Sequence, residues 1–150
     1  MTEPLRRFAP VRGYEGRVRL PRRQTRCSAG YDLEAAEEVT IPPGQVALVP
    51  TGLKAYMGED EVLLLAVRSS LAVRRRLTLA NGIGVIDADY ADNPDNEGHI
   101  LVALANLGTE PVTISRGERV AQGIFVRYLT VAGDQPGGRR TGGIGSTGRE

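Results

Sequence analysis

Tryptophan is absent from the sequence, cysteine and histidine occur once each, and lysine occurs once against an abundance of arginine. A single cysteine, Cys27, excludes an intrachain disulfide and the disulfide-dense secreted scaffolds that depend on one. One cysteine and one histidine cannot supply the four ligands of a structural zinc. A Ser-His-Asp triad would have to use His99, which follows a glycine and has no neighbour in sequence to form a dyad. It reads as structural or solvent-facing. No apolar run approaches the roughly 18 residues that a membrane-spanning helix needs. The first residues, MTEPLRRFAPVRGYEG, lack the apolar stretch of a secretory signal. These absences predict no membrane association and a cytoplasmic location. They leave hydrolytic chemistry to carboxylates, arginines, hydroxyls or a hard, oxygen-bound metal.

Charge of one sign is also missing. Nineteen basic residues face 18 acidic ones, a net charge of +1, which argues against bulk electrostatic binding of nucleic acid. The 150 residues suit one domain with a core of its own. Short apolar runs alternate with glycine and proline: residues 16–20, 39–41, 45–50, 61–67, 82–90, 98–106, 111–115 and 123–129. Many short strands separated by such turns predict an all-β sandwich or barrel. The one helix candidate is SSLAVRRRL, residues 69–77, with serine as its cap. Residues 133–150, GDQPGGRRTGGIGSTGRE, are dominated by glycine and show no periodicity. They read as a mobile arm appended to a domain spanning 1–132. That arm is either a plain disordered tail or a lid whose amides, hydroxyls and Arg139 suit phosphates.

Several segments carry candidate chemistry, each with a plainer alternative. In Arg68-Ser69-Ser70-Leu71 a strand gives way to a helix start. Its free N–H groups and the arginine fork suit an anion, although taken alone a simple cap with a surface arginine is the favoured explanation. Gly84-Val85-Ile86-Asp87-Ala88-Asp89-Tyr90 sets two carboxylates at i and i+2, on one face of a regular strand. They suit a general base with a charged neighbour, a site attracting a divalent metal, or a polar strand end facing water. Alternation puts Tyr90 on the opposite face from Asp87, so the strand must bend if both serve one pocket. Asp32 in AGYDL reads as an acid within a small-residue turn, and Arg116 to Gln122 as a turn leading into a strand.

Taken together and in order, five segments resemble the trimeric dUTPase family. They are SAGYDLEA (28–35), RSSLA (68–72), NGIGVIDADY (81–90), RGERVAQ (116–122) and RRTGGIGSTG (139–148). The resemblance covers about residues 17–148. It implies a jelly-roll-like β-barrel that forms a homotrimer with shared active sites, the C-terminal arm closing over one of them. The implied reaction is hydrolysis of dUTP to dUMP and pyrophosphate with Mg2+, which limits uracil in DNA and supplies dUMP for dTMP synthesis.

The roles implied by the resemblance fall on matching positions. Asp87 would deprotonate the water that attacks the α-phosphorus. Arg68, Ser69, Ser70 and Gln122 would hold phosphate oxygens, and Arg139, Ser146 and Thr147 would clamp them from the arm. Asp32 and Gln122 would hold the metal through its waters, with no direct protein ligand. The backbone of Gly84, Val85 and Ile86, with Asn81 beside it, would read the uracil edge. Tyr90 would pack under the deoxyribose. Ile144 stands where the family's arm usually carries phenylalanine; it can cover the base by dispersion but not stack on it, which implies a weaker lid or a cover supplied from elsewhere, such as loop 91–99. After Tyr90 the chain runs on as a polar loop, ADNPDNEGH, next to the site.

Three rival readings remain at this level. A dCTP deaminase on the same fold needs a glutamate on the strand after the hairpin, where this chain has LVALAN (101–106). A nucleotide-sensing regulator would fit the Ile144 change better than the intact Asp87. A capsid-type jelly roll would explain the strands but not the placement of Asp87, Arg68 and Gln122.

Overall fold

A computed structural model of the chain describes residues 5–144. Its strands in chain order are β1 (Arg7–Pro10), β2 (Tyr31–Glu34), β3 (Val39–Ile41), β4 (Val46–Pro50), β5 (Leu53–Tyr56) and β6 (Glu61–Ala66). The helix α1 (Ser69–Arg74) follows, then β7 (Leu77–Leu79), β8 (Gly84–Asp87), a 3-10 turn (Ala88–Tyr90), β9 (Leu101–Asn106), β10 (Val112–Ile114) and β11 (Arg119–Arg127). Every strand pairing is antiparallel. The ladders form four sheets, in the orders β1-β5, β10-β3, β2-β11-β6-β8 and β4-β9-β7. The all-β reading therefore holds. The ladders do not join into one continuous barrel among the described residues.

The period-2 pattern explains why these segments pair as they do. Along β9 the side chains of Val102, Leu104 and Asn106 are buried while Leu101, Ala103 and Ala105 are half-exposed. Leu33, Ile41, Leu63, Leu77, Ile100 and Leu104 fill one core shared by all four sheets. Each contributes about 1.5–3 kcal/mol by leaving water. The polar exceptions inside are satisfied. Asn106 donates to the Ile41 and Glu110 carbonyls at 2.9 and 2.8 Å and accepts the Gly108 N–H at 2.9 Å. It thus ties the β9–β10 turn to β3.

Four sequence expectations need correction. Residues 16–20 form turns rather than a strand. The Arg17 N–H is spent on the Tyr14 carbonyl at 2.9 Å, and only Val18 packs on the core while Leu20 is solvent-exposed. The segment around Asp32 is a strand, β2, not a turn, because Leu33 is fully buried and β11 pairs with it along its length. The helix ends at Arg74 rather than residue 77: Arg76 takes a left-handed φ of 55° and Leu77 starts β7. Its cap is Arg68, and no side chain bonds into the first turn, so Ser69 and Ser70 are the first helical residues instead of caps. Strands β1, β5 and β7 are additional to the runs expected from sequence. Among the described residues no helix is long and apolar enough to cross a membrane.

Candidate active site

The four-stranded sheet carries the candidate residues in two groups, one at each end of β6. At the first end, Gln122 on β11 stands opposite Asp32 on β2 and Ala66 on β6. Arg68 lies two residues beyond Ala66 and turns its Nε to 3.3 Å from the Asp32 carboxylate. Arg119 reaches the other Asp32 oxygen at 3.5 Å. The Asp32 side chain is only 10% exposed, so it is held between two guanidinium groups in a partly dry setting. Gly30 sits under the Gln122 side chain. A Cβ there would lie 2.5 Å from Gln122 Oε1, so a larger residue would displace the Gln122 amide. Ser69 and Ser70 are exposed at the start of α1, and their N–H groups precede the helical ladder.

At the other end, β8 runs along β6 with Asp87 opposite Val62. β8 is the outer strand of its sheet, so one row of its backbone N–H and C=O groups points away from β6. A cavity of about 560 Å³ opens there, lined by Asn81, Gly84, Val85, Ile86, Asp87 and Tyr90, with Ile144 also at its wall. The strand stops at Asp87 and the chain folds into the 3-10 turn, which is the bend that brings Tyr90 to the same cavity as Asp87. Leu48, Leu79, Leu101 and Ala103 supply the apolar part of the wall. The side chains that β9 turns toward this cavity are therefore aliphatic, and no carboxylate stands among them.

Tyr90 is buried and its hydroxyl donates to the His99 carbonyl at 2.7 Å while accepting from Asn96 Nδ2 at 2.9 Å. Burial pushes its phenol up from the ordinary value. His99 is structural: its Nε2 accepts the Gly52 N–H at 2.8 Å, and burial pushes its imidazole down toward the neutral form. The polar loop after Tyr90 is cross-linked. Asn93 donates to the Tyr90 carbonyl at 2.7 Å and accepts from the Asp95 and Asn96 amides at 3.0 and 3.1 Å. The single lysine, Lys54 on β5, binds Asp92 at 2.6 Å and Glu97 at 2.8 Å. Burial alone would depress Lys54, but its bonds to Asp92, Glu97 and Tyr56 outweigh that and raise it well above its ordinary value. The same bonds hold both carboxylates below theirs.

Sequence reasoning missed one charged residue at this cavity. Arg140, with a side chain only 8% exposed, binds Asp87 Oδ2 at 2.5 Å through Nη2 and Asp89 Oδ1 at 2.8 Å through Nε. The adjacent Arg139, the residue singled out from the sequence, is exposed. Adjacent arginines in an irregular, glycine-rich segment give no periodicity from which to tell inward from outward. Ile144 is 67% exposed at the cavity wall. Ser146 and Thr147 lie outside the described residues.

A family model described as dUTPase matches residues 17–148. The chain belongs to the dUTPase family. It is 50% identical over 147 residues to the deoxyuridine 5'-triphosphate nucleotidohydrolase of Lactococcus lactis subsp. lactis, covering 96% of this chain and 98% of that one. It is 42% identical over 139 residues to the enzyme of the same name from Desulfitobacterium hafniense, with 87% of each covered. Among solved structures, the dUTPase from Streptococcus mutans superposes with a TM-score of 0.80 at 46% identity, covering 85% of this chain and 99% of that one. The dUTPase family thus embraces both ends of the β2-β11-β6-β8 sheet and the segment that carries Arg140.

Proposed function

We propose that the chain hydrolyses dUTP to dUMP and pyrophosphate, with a water activated by Asp87 attacking the α-phosphorus. The observation that carries this reading is the cavity beside the edge strand β8, which gathers Asn81, Gly84, Val85, Ile86, Asp87 and Tyr90 in one place. Unpaired backbone groups on β8 present a fixed donor and acceptor pattern to the uracil edge. Cytosine offers the opposite pattern at positions 3 and 4, so rigid backbone rejects it. Tyr90, locked by hydrogen bonds to His99 and Asn96, forms a floor under the deoxyribose that leaves no room for a 2′-hydroxyl. An ionised Asp87 at hydrogen-bond distance from a water takes its proton as the P–O bond forms, and the pair of electrons leaves with pyrophosphate. Arg68, with the N–H groups and hydroxyls of Ser69 and Ser70, stabilises the charge that grows on that leaving group. Arg139, Ser146 and Thr147 would add contacts from the C-terminal arm, which closes with Ile144 over the base.

Mg2+ fits this donor set as an ion carried by the nucleotide. Among the described residues no group of three or more acidic, histidine or cysteine side chains forms a cage for a metal. Asp32 and Gln122, paired across β2 and β11, offer oxygen atoms suited to binding the waters of such an ion. When bound, the ion neutralises triphosphate charge. Asp32 is kept in place for that task by Arg68 and Arg119.

Asp87 and Asp32 stand far apart within one chain. Asp87 and Gln122 register four residues apart along β6, and Asp32 lies three strands from β8. That spacing amounts to about 20 Å at ~3.3 Å per residue and ~4.8 Å between strands. This separation supports a homotrimer of jelly-roll-like subunits, in which the Asp87 end of one copy meets the Asp32 end of another. The deaminase alternative fails on the aliphatic Leu101 and Ala103, which face the cavity where a water-activating carboxylate would have to stand.

The test is release of pyrophosphate and ammonia from dUTP, dCTP, dTTP and UTP, each with Mg2+ and with EDTA. Pyrophosphate from dUTP alone, lost in EDTA, is the expected result. Ammonia from dCTP, or silence on all four nucleotides, would overturn the assignment.

A further inference from the structure

Neither Asn96 nor His99 lines the cavity, yet the two of them hold the hydroxyl of Tyr90, which does. The backbone fixes the direction of those bonds. Asn93 Oδ1 accepts the N–H groups of Asp95 and Asn96. The Asn93 amide nitrogen is left to donate, to the Tyr90 carbonyl and to Asn96 Oδ1, each at 2.7 Å. Asn96 Oδ1 also accepts the Gly98 N–H at 3.1 Å. The Asn96 amide nitrogen is therefore the atom that faces Tyr90, and the phenol accepts from it while donating to the His99 carbonyl. Turning either asparagine amide over would set donor against donor.

The rest of the loop keeps this arrangement in place. Gly98 has a φ of 85°, and a Cβ on it would stand 2.7 Å from the Tyr90 carbonyl oxygen and 2.6 Å from Ala91 Cα. Asp92 and Glu97 take left-handed φ values of 61° and 64° without being glycine, a conformation that persists only where the surroundings over-determine it. Lys54 on β5 holds both of their carboxylates.

An apolar contact by itself discriminates weakly against one added hydroxyl. A wall rejects a larger ligand only by as much as it costs the wall to move. Tyr90 would yield by swinging its ring, and the bonds at its hydroxyl oppose that swing. We propose that Asn96 is the positioning residue for sugar selection: acting through the Tyr90 hydroxyl, it fixes the ring under the deoxyribose and so keeps UTP out. The proposal rests on reading the cavity as the nucleoside site of a dUTP hydrolase. Asn96 acts through the tyrosine and on no reacting atom, so its loss weakens selection rather than chemistry.

The test is kcat/KM for dUTP and for UTP in the native protein, Asn96→Ala, Tyr90→Phe and the double variant. Loss of one hydrogen bond should lower the dUTP/UTP ratio about three- to tenfold in Asn96→Ala. The kcat for dUTP should stay as it is, since no interaction confined to the transition state is removed. Tyr90→Phe, which lacks the hydroxyl, should lower the ratio at least as much, and adding Asn96→Ala to it should lower it no further. The same pattern is expected in the affinities of a dUTP analogue with an imido group between the α- and β-phosphorus and of its ribose counterpart. An unchanged ratio in Asn96→Ala overturns the proposal. So does a second, equal loss in the double variant, which would mean that Asn96 acts through the loop and not through the hydroxyl. If Asn96→Ala does not fold, Tyr90→Phe decides alone, and an unchanged ratio there overturns the proposal. Native protein that hydrolyses neither nucleotide overturns the functional reading and the proposal with it, whereas dUTP hydrolysis with unaltered ratios in the variants overturns only the role of Asn96.

Discussion

The two ends of the central sheet solve the same problem in different ways. At the Asp32 end, strand register does the positioning: Gln122 meets Asp32 because β11 pairs with β2, and Arg68 arrives because β6 runs out beside them. At the Asp87 end the sheet has finished. β8 is its outer strand, the chain turns through a 3-10 bend, and a cross-linked loop with the C-terminal segment completes the wall. Ladder geometry is rigid and suits groups that handle a repeating, highly charged triphosphate. A loop-built cavity can shape itself to one base and one sugar and can be covered and uncovered. On the proposed function, recognition of base and sugar falls to the loop end and charge handling to the ladder end.

The sharpest way to break this division is to disable each end separately. Asp87→Asn should lower turnover by about 10²–10⁴-fold, the usual contribution of a general base, while binding of the imido analogue persists. Arg68→Gln should also abolish most turnover, through the other end. Mixing the two inactive variants under conditions that exchange subunits should restore part of the activity, because some sites then combine two intact halves. No recovery on mixing, in assemblies shown to contain both chains, would mean that one chain supplies both ends to a site.

A milder perturbation tests the ladder end alone. Gly30→Ala puts a methyl group where Gln122 Oε1 lies 2.5 Å away, so the amide must move. A displacement of that size should reduce kcat/KM for dUTP by about tenfold to a hundredfold, with the thermal midpoint nearly unchanged. A loss of stability without a loss of kcat/KM would show that the glycine serves packing instead.

The smallest expected effect concerns the loop end and depends on pH. Asp92 and Glu97 have folded-state pKa values below their ordinary ones, chiefly through the hydrogen bonds from Lys54. Their contribution to stability is therefore complete above the unfolded values of about 3.9 and 4.3, and it is lost as pH falls through the lower folded values. Lys54→Met should lower the thermal midpoint at pH 7 by a few degrees and flatten its decline between pH 5 and pH 3. A parallel decline in the two proteins would remove Lys54 as the brace of the loop.

How much of this was legible in the sequence depends on the kind of signal. The strands that are short apolar runs with flanking turns, β4, β6, β9 and β10, lie within the runs read from hydrophobicity. β2 was hidden because its three visible cues, Gly30, Tyr31 and Asp32, read as a turn until the pairing with β11 supplies its partner. GRVRL (16–20) misled in the opposite direction: two apolar residues in five mimic a strand, but the segment joins no ladder among the described residues and only Val18 packs on the core. The site residues Asp87, Tyr90, Asn81 and Gly84 were readable together as a motif, and the cavity does gather them. Arg140 and Asp95 were not, since their partners lie about 50 residues away in sequence.

The sequence by itself determined the all-β character, the family and the identities of the chemical groups, because period-2 patterning, turn residues and ordered motifs are local properties of the chain. Only the tertiary structure decided which of those groups meet. Asp32 and Gln122 come together through a ladder, Asp87 and Tyr90 through a bend, and Arg140 instead of Arg139 reaches the carboxylates. Contacts between residues far apart in sequence depend on strand order, register and the path of irregular segments, and none of these is written in any local window.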